Sequence, residues 1–403
     1  MCIRDRQLLY LPELSFTDAY FEAMSGLTTT GATVLTGLDA LPTSINVWRC
    51  FMVLMGGMGI LVLAVAILPL LGVGGSQIFK AETPGPMKDE KLTPRIAETA
   101  RGLWAVYFGI ATLCLLAYRA AGMGWADAFM HMCSTMGLGG FSSRDASFGA
   151  FNSLQIEAVA VFFMLLAGVN FALYFLVWKR RSLRPLLVDP EARLFIALMV
   201  VSVLGCAALL SVHGTYASFA ESLRHVAFNL VSVATTTGFA SVDYATWPIF
   251  VPVLMLFLCC FATAAGSTGG GIKMIRAVLL LKQARRELTR IVHPRAVAPV
   301  TLRGGIVDPQ VMGSILAFML VYGAVMIAAT LLLLASGLDA ISAFTAVIAC
   351  INNTGPGLGQ VGPANNFQGL SDFQTWVCSI TMLLGRLELF SVLVLFTPGF
   401  WRK

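Results

Sequence analysis

Seven apolar stretches in this chain are each long enough to cross a lipid bilayer as a helix, which takes roughly 20 residues. They cover residues 49–71, 102–122, 154–178, 192–212, 248–281, 310–335 and 373–397. Of the 403 residues, 57% are hydrophobic and only 12% are charged, about half the charged share of a soluble domain. The sequence therefore predicts an all-α integral membrane protein with seven crossings.

Between the crossings lie four segments that are too short or too polar to span a bilayer. They cover residues 18–29, 126–137, 220–236 and 339–352, and each runs into a polar stretch that contains glycine. We expect these segments to be re-entrant half-helices. Irregular backbone is tolerated at membrane depth only where it lines a watery cavity or is buried in protein, so four such segments indicate a permeation pathway.

The basic residues are distributed unequally between the two sides of the predicted membrane. The linkers 72–101, 179–193 and 282–303 hold sixteen Lys and Arg residues. The opposite linkers hold four: Arg49, Arg119, Arg144 and Arg224. By the positive-inside rule, the basic linkers face the cytoplasm and the re-entrant segments open to the outer side. No aromatic and basic platform for nucleic acid is present, and the nine cysteines and four histidines show no metal-ligand spacing.

A repeat of about one hundred residues is marked by Gly31, Gly139, Gly238 and Gly355, which are 108, 99 and 117 residues apart. A phenylalanine precedes the glycine by ten residues in the first three units (Phe21, Phe129, Phe228) and by eleven in the fourth (Phe344). The predicted units are 1–71, 72–180, 181–285, which contains a broken helix, and 286–403. The first unit lacks its first crossing, so we expect further helices upstream.

The loops around these glycines have the chemistry of a cation filter. Four loops that present backbone carbonyls can replace the water shell of K⁺, and glycine adopts the required backbone conformations at little steric cost. No Asp or Glu occurs between each re-entrant segment and two residues past its glycine, which argues against a carboxylate ring for divalent cations. The alternative is ordinary turn chemistry. The predicted potassium-binding residues are Thr29, Thr30, Gly31, Leu138, Gly139, Thr236, Thr237, Gly238, Asn353, Thr354 and Gly355.

The fifth apolar stretch is interrupted by glycines that a stable helix cannot accommodate, at about 1 kcal/mol each relative to alanine. We expect a flexible intramembrane gating loop there, and the alternative is a glycine-rich helix-packing face. A phosphate-binding P-loop is excluded because Ile272 separates the last glycine from the lysine. The predicted gating residues are Gly266, Ser267, Thr268, Gly269, Gly270, Gly271 and Lys273.

Arg386 is predicted to lie near the middle of the last crossing, where a charge is costly unless it faces water or a partner. We expect it either to form a positive barrier below the filter or to anchor the glycine loop. The alternative is a structural salt bridge, for instance with Glu157. Asn170 is expected to line the cavity or to bond between helices.

Taken together, these motifs resemble the TrkH/TrkG branch of the Trk/Ktr/HKT superfamily of potassium transporters, over essentially the whole chain. The matching runs are Thr28–Thr33, Leu54–Ile60 with Ala64–Pro69, Gly137–Ser142, Ala234–Phe239, Ala265–Lys273, Asn352–Gly357 and Gly385–Glu388. The resemblance implies four pseudo-symmetric helix–pore-loop–helix repeats around one central pore, the first incomplete here, in the cytoplasmic (inner) membrane. It also implies a homodimer and a cytoplasmic nucleotide-binding regulatory ring such as TrkA. It maps the filter, the gating loop and the pore arginine onto the residues named above.

The resulting hypothesis is potassium uptake, with K⁺ as cargo, membrane lipid as surroundings and no cofactor. In plant members of the superfamily, Ser at the first filter glycine accompanies sodium transport, so four glycines favour K⁺. The alternatives are transport of Na⁺, coupling of K⁺ to Na⁺ or H⁺, and a non-conducting truncated fragment, since family members begin with helices absent here. An enzyme is not expected because no nucleophile, base and metal-ligand cluster is evident.

Overall fold

The computed structural model describes residues 14–62, 96–302, 305–397 and 401. The α-helices are α1 (Phe16–Leu27), α2 (Thr43–Val62), α3 (Ile96–Ala120), α4 (Trp125–Gly137), α5 (Leu154–Ala167), α6 (Phe171–Arg180), α7 (Arg184–Val188), α8 (Pro190–Val212), α9 (Phe219–Ala234), α10 (Phe250–Phe261), α11 (Met274–Val292), α12 (Pro309–Ala335), α13 (Ala340–Ile351), α14 (Asp372–Arg386) and α15 (Leu389–Leu393). One two-stranded antiparallel sheet pairs β1 (Thr301–Leu302) with β2 (Gly305–Ile306). The predicted all-α membrane fold is confirmed.

Four short helices, α1, α4, α9 and α13, occupy the segments predicted to be re-entrant. Each has 12 to 16 residues, which is too short to cross a bilayer. Three of them begin at a side chain that accepts a backbone N–H of the first turn: Ser15 for α1, Ser218 for α9 and Asp339 for α13. Their ends lie within one or two residues of the predicted segments. We call these four the re-entrant helices.

The crossings follow the prediction less closely. Among the described residues, three unbroken helices are long and apolar enough to span a membrane, covering 100–120, 190–212 and 309–335. The spanning helix α12 exposes Leu316, Leu320, Ile327 and Leu331 on one side, although all are apolar. An exposed apolar stripe of this kind suits a lipid solvent. The end of the first predicted crossing and the start of the following linker, residues 63–95, lie outside the described residues.

Two predicted single crossings are bent instead. The stretch 154–178 consists of α5 and α6 at 88° to each other, and the last stretch consists of α14 and a short helical end at 109°. Asn170 explains the first bend, because its side chain caps α6 by accepting the Ala172 N–H at 2.8 Å. Asn170 is thus a helix cap rather than an interhelical link. The second bend places Arg386 at the end of α14, at the break between the two helical parts of this stretch.

Eight helices form a closed ring. The helix α2 packs between α1 and α4, α5 between α4 and α9, α10 between α9 and α13, and α14 between α13 and α1. Each re-entrant helix is therefore held between two longer neighbours. This alternation directs the four helix C-termini, with the loops that follow them, toward one shared interior.

Candidate ion pathway

The loops that follow the four re-entrant helices share one backbone conformation. In each, a non-glycine residue adopts a left-handed φ of 52° to 63°: Thr29, Leu138, Thr236 and Asn353. The next residue donates its N–H to the carbonyl five residues earlier, at 2.8 to 3.0 Å, from Thr30, Gly139, Thr237 and Thr354. The residue after that is a glycine with φ between 60° and 93°. All four loops thus fold to the same local geometry, although only the first and third share the sequence Thr-Thr-Thr-Gly.

This geometry corrects the predicted register of the second loop. The glycine equivalent to Gly31 is Gly140, with φ of 60°, and not Gly139, which occupies the position of Thr30. In agreement, Met130 lies ten residues before Gly140 and is 3% exposed, like the buried Phe21 before Gly31, whereas Phe129 is only partly buried. We call Gly31, Gly140, Gly238 and Gly355 the ring glycines.

The ring glycines bring the four loops into backbone contact in a closed cycle. A Cβ placed on Gly31 would lie 2.3 Å from the Gly139 carbonyl oxygen, and one on Gly140 would lie 2.4 Å from that of Thr237. A Cβ on Gly238 would lie 2.0 Å from the Thr354 oxygen, and one on Gly355 would lie 2.7 Å from the Thr30 oxygen. No side chain fits at these distances. Each loop therefore touches the next, and the fourth returns to the first, which we call the loop ring.

The loop ring is buried and rich in oxygen. The residues Thr28–Thr30, Thr235–Thr237 and Asn352–Thr354 are at most 3% exposed. Asn353 joins the fourth loop to the first by donating from Nδ2 to Thr30 Oγ1 at 3.0 Å. The buried Thr29 Oγ1 and Asn353 Oδ1 have no hydrogen-bond partner in the protein, and buried polar atoms normally have one. Such oxygens are suited to a cation or to water.

A single loop, residues 262–273, lies against the helix side of the loop ring, and we call it the inner loop. It separates α10 from α11, where the sequence predicts a broken helix. Thr268 donates from Oγ1 to the Met136 carbonyl at 3.0 Å, and the Gly270 N–H donates to Thr236 Oγ1 at 2.9 Å. A Cβ on Gly270 would lie 2.0 Å from the Asn352 carbonyl oxygen. The inner loop thus contacts the ends of three re-entrant helices.

Side chains and strained residues hold the inner loop in this conformation. Thr263 donates from Oγ1 to the Gly270 carbonyl at 2.7 Å, and Lys273 donates from Nζ to the Gly269 carbonyl. Lys273 has φ of 75°, a conformation that is costly for a residue with a side chain. Gly266 and Gly271 also have positive φ. Backbone bonds add to these contacts, since Ala264 donates to the Gly168 carbonyl and the Ala265 N–H donates to Glu191.

Arg386 joins the inner loop to the ring of helices. It is 6% exposed and donates to two carbonyls, that of Thr268 at 2.9 Å and that of Gly56 at 3.0 Å. The alternative salt bridge with Glu157 is wrong, because Glu157 pairs with Arg224 at 2.7 Å. The Arg386 charge therefore has no carboxylate partner in these contacts. It lies beside the inner loop as a buried positive group.

Sequence reasoning missed two ion pairs near the site. Glu22 and Arg49, both fully buried, pair at 2.7 Å behind the first loop. Arg276 pairs with Glu388 at 2.7 Å, which connects α11 to the bend after α14. Charged residues inside the apolar stretches were a signal for both pairs. The partners are 27 and 112 residues apart, however, and only the fold brings them together.

The cavity lined by the ring glycines and Arg144, which we call the outer mouth, carries a partly exposed charge cluster. Arg144 contacts Asp39 at 3.1 Å and Asp127 at 3.0 Å. Desolvation opposes ionisation of Asp39, but hydrogen bonds from the Asp145 backbone and the Arg144 guanidinium outweigh it and lower the pKa of Asp39. No group of three His, Cys, Asp or Glu residues suited to a metal ion occurs in the described part of the chain.

Helices with an apolar exterior, closed around buried re-entrant loops, define a multi-pass membrane protein. Residues 3–403 match the family model described as TrkH, cation transport protein, so the chain belongs to the TrkH family. This family comprises transport proteins and not enzymes. The apolar helices and the curated relatives indicate a multi-pass protein of the inner membrane.

The relatives cover nearly all of the chain. It is 47% identical over 394 residues to the Trk system potassium uptake protein TrkH of Vibrio parahaemolyticus, covering 97% of this chain and 81% of that protein. It is 42% identical to the Trk system potassium uptake protein TrkG of Escherichia coli, covering 97% and 80%. The crystal structure of the potassium transporter TrkH from Vibrio parahaemolyticus aligns with a TM-score of 0.88 at 45% identity, covering 98% of this chain and 81% of that one.

Proposed function

We propose that this protein carries K⁺ into the cell, that the loop ring is its selectivity filter, and that the inner loop is its gate. The observation that carries the proposal is the closed cycle of backbone contacts among the four ring glycines. Backbone carbonyls arranged around one axis can replace the hydration shell of K⁺. The names of the relatives, which are potassium uptake proteins, support K⁺ as the cargo.

Electrostatics favours a cation at the loop ring. The C-terminal ends of four helices converge there, and each end carries a partial negative charge. The loops contain no carboxylate, so the ring would select by size and oxygen geometry rather than by strong charge. A membrane potential that is negative inside supplies roughly 2.3 kcal/mol per charge per 100 mV for inward movement. The proposal needs no cofactor.

In this proposal the inner loop blocks the path. Gly270 and Thr268 contact the inner ends of the re-entrant helices, and Arg386 adds a positive charge at the same level. Opening would require the loss of the Thr263 and Lys273 contacts. We further propose that the protein forms a homodimer and that a cytoplasmic nucleotide-binding ring, similar to TrkA, moves this loop. Cross-linking in membranes and copurification with such a ring would test those two parts.

The direct test is growth of a bacterium that lacks potassium uptake systems, together with radioactive rubidium uptake. We expect expression of this chain to restore growth at low K⁺ and K⁺-inhibited rubidium uptake. Verified insertion in the inner membrane without either effect would reject the proposal. Uptake that depends on Na⁺ and is insensitive to K⁺ would favour the second candidate, a sodium transporter, although glycine at all four ring positions speaks against it.

A further inference from the structure

Behind the loop ring, each re-entrant helix holds the chain that leaves its ring glycine. We call the three residues after each ring glycine the outer limb, which covers 32–34, 141–143, 239–241 and 356–358. At least one buried polar side chain in each re-entrant helix bonds to the corresponding outer limb, and in the third helix Ser232 also donates to the Phe239 carbonyl at 2.7 Å. We call Glu22, His131, Asn229 and Thr345 the four anchors, and all are at most 5% exposed.

In the first and third loops the anchor binds the backbone of the limb at the same position. Glu22 accepts the Val34 N–H at 3.2 Å through Oε2. Asn229 accepts the Ser241 N–H at 3.1 Å through Oδ1, and its Nδ2 donates to Ser241 Oγ at 2.9 Å. Val34 and Ser241 are both the third residue after a ring glycine. A carboxylate and an amide thus make the same bond in two different repeats.

In the second and fourth loops the anchors are an imidazole and a hydroxyl group. His131 Nε2 hydrogen-bonds to Ser142 Oγ at 3.0 Å, and Thr345 Oγ1 accepts the Leu358 N–H at 2.9 Å. Glu22, His131 and Asn229 each lie nine residues before their ring glycine. In the fourth helix that position is Ala346, and Thr345, one residue earlier, takes the contact. The contact recurs although the residue type and the position differ, which indicates that the contact itself matters.

Of the four anchors, Glu22 has contacts that reach beyond its own outer limb. Its carboxylate also accepts from Thr33 Oγ1 and pairs with Arg49. The Arg49 guanidinium lies 4.4 Å from the centre of the Phe141 ring and donates to the Ser142 carbonyl at 3.4 Å. Since Phe141 and Ser142 belong to the second outer limb, this pair ties the first two limbs together.

We propose that Glu22, His131, Asn229 and Thr345 are positioning residues that set the cation selectivity of the loop ring. The inference rests on the proposed function of that ring as a potassium filter. An outer limb begins directly at its ring glycine, so its position fixes that of the adjacent carbonyls. Without the anchor, a polar group of the limb loses its partner, which is a backbone N–H in three loops and the Ser142 hydroxyl in the second, and the limb moves to find another. The carbonyls then no longer match K⁺ better than Na⁺.

The cleanest test replaces the threonine hydroxyl by a methyl group of the same shape. In Thr345→Val the Leu358 N–H loses its acceptor, while the volume is kept. The matched control is Thr330→Val in α12, whose hydroxyl bonds only to the Met326 carbonyl of its own helix. The readout is the ratio of K⁺ to Na⁺ flux in vesicles that contain equal amounts of purified protein. We expect Thr345→Val to lower this ratio about tenfold and Thr330→Val to leave it at the wild-type value.

A variant of a second anchor keeps the test informative if Thr345→Val fails to fold. Asn229→Leu keeps the size but removes both contacts to Ser241, and we expect the same loss of selectivity. Wild-type protein that transports K⁺ selectively, together with unchanged ratios in both anchor variants, would overturn the inference. An equal loss in Thr330→Val would also overturn it. Wild-type protein without any preference for K⁺ would instead reject the proposed function, so the two failures are distinguishable.

Discussion

The loop ring and the inner loop are in contact but are stabilised in different ways. The loop ring is fourfold, and each ring glycine abuts a carbonyl of the next loop so closely that one loop cannot move alone. The inner loop abuts the loop ring just as closely at Gly270, but it is also held by side-chain hydrogen bonds from Thr263, Lys273 and Arg386. The fourfold contacts constrain every loop at once, whereas the side-chain bonds of the inner loop can be lost one at a time. The difference suits a rigid filter above a movable gate.

The largest expected effect comes from adding a methyl group to a ring glycine. In Gly238→Ala the new Cβ would lie 2.0 Å from the Thr354 carbonyl oxygen, at a residue with φ of 85°. We expect rubidium uptake to be abolished. The control is Gly37→Ala, which has φ of 69° and no atom within 4 Å of the new Cβ. It carries only the backbone cost of about 1–2 kcal/mol and should retain uptake, and equal behaviour of the two variants would contradict a tightly packed ring.

A smaller effect is expected where the inner loop meets Arg386. Arg386→Gln removes the charge and weakens the bonds to the Thr268 and Gly56 carbonyls. We expect basal rubidium uptake to rise, about tenfold, because a buried positive charge opposes a cation. Arg224→Gln is the control, since Arg224 pairs with Glu157 away from the inner loop. Reduced uptake in Arg386→Gln at normal membrane levels would mean that Arg386 is structural and not a barrier.

A single hydrogen bond of the inner loop should have a weaker effect still. Thr263→Val removes the donor to the Gly270 carbonyl, worth about 1 kcal/mol, so the open fraction should rise about fivefold. Initial uptake rates in vesicles would show this. Thr289→Val, whose hydroxyl bonds only to the Arg285 carbonyl within α11, should match wild type. Unchanged rates in Thr263→Val would indicate that the inner loop is held by other contacts.

The smallest effect concerns the outer mouth. The pKa of Asp39 is lowered when folded, so the stability that Arg144 provides is complete above the ordinary aspartate pKa of about 4. This stabilisation is lost as the pH falls through the lowered pKa of Asp39. Because the Asp39 side chain is 49% exposed, the contribution is at most about 1 kcal/mol. Thermal unfolding should separate wild type from Arg144→Gln slightly at neutral pH and less below pH 4, and a growing separation on acidification would contradict this.

The sequence was sufficient to predict the re-entrant helices. The signals were local, namely segments too short or too polar to span a bilayer that each run into a polar stretch with glycine, and the structure places these helices within two residues. The bends after α5 and α14 were missed because the apolar runs resume after a short polar interruption, which was treated as part of one crossing. Asn170 at the first bend and the charged Arg386 and Glu388 at the second were the local signs.

The sequence predicted which loops form the candidate site, but it did not predict which residues contact each other there. Two adjacent glycines, Gly139 and Gly140, left the register of the second loop open by one residue, and the backbone hydrogen bonds and φ angles reveal the equivalence. The pairing of Glu22 with Arg49, and the contact of Arg386 with Thr268, join residues far apart in the chain. Local patterns contain no information about such partners. The filter and gate assignments stay predictions.

The most direct test of the central claim is to locate the bound cation. A crystal structure of the protein in rubidium salt, with anomalous scattering recorded at the rubidium edge, would show where the ion lies. We predict a peak inside the loop ring, surrounded by the carbonyl oxygens of Thr30, Gly139, Thr237 and Thr354. Occupied rubidium sites elsewhere in the protein, with none within the ring, would contradict the account.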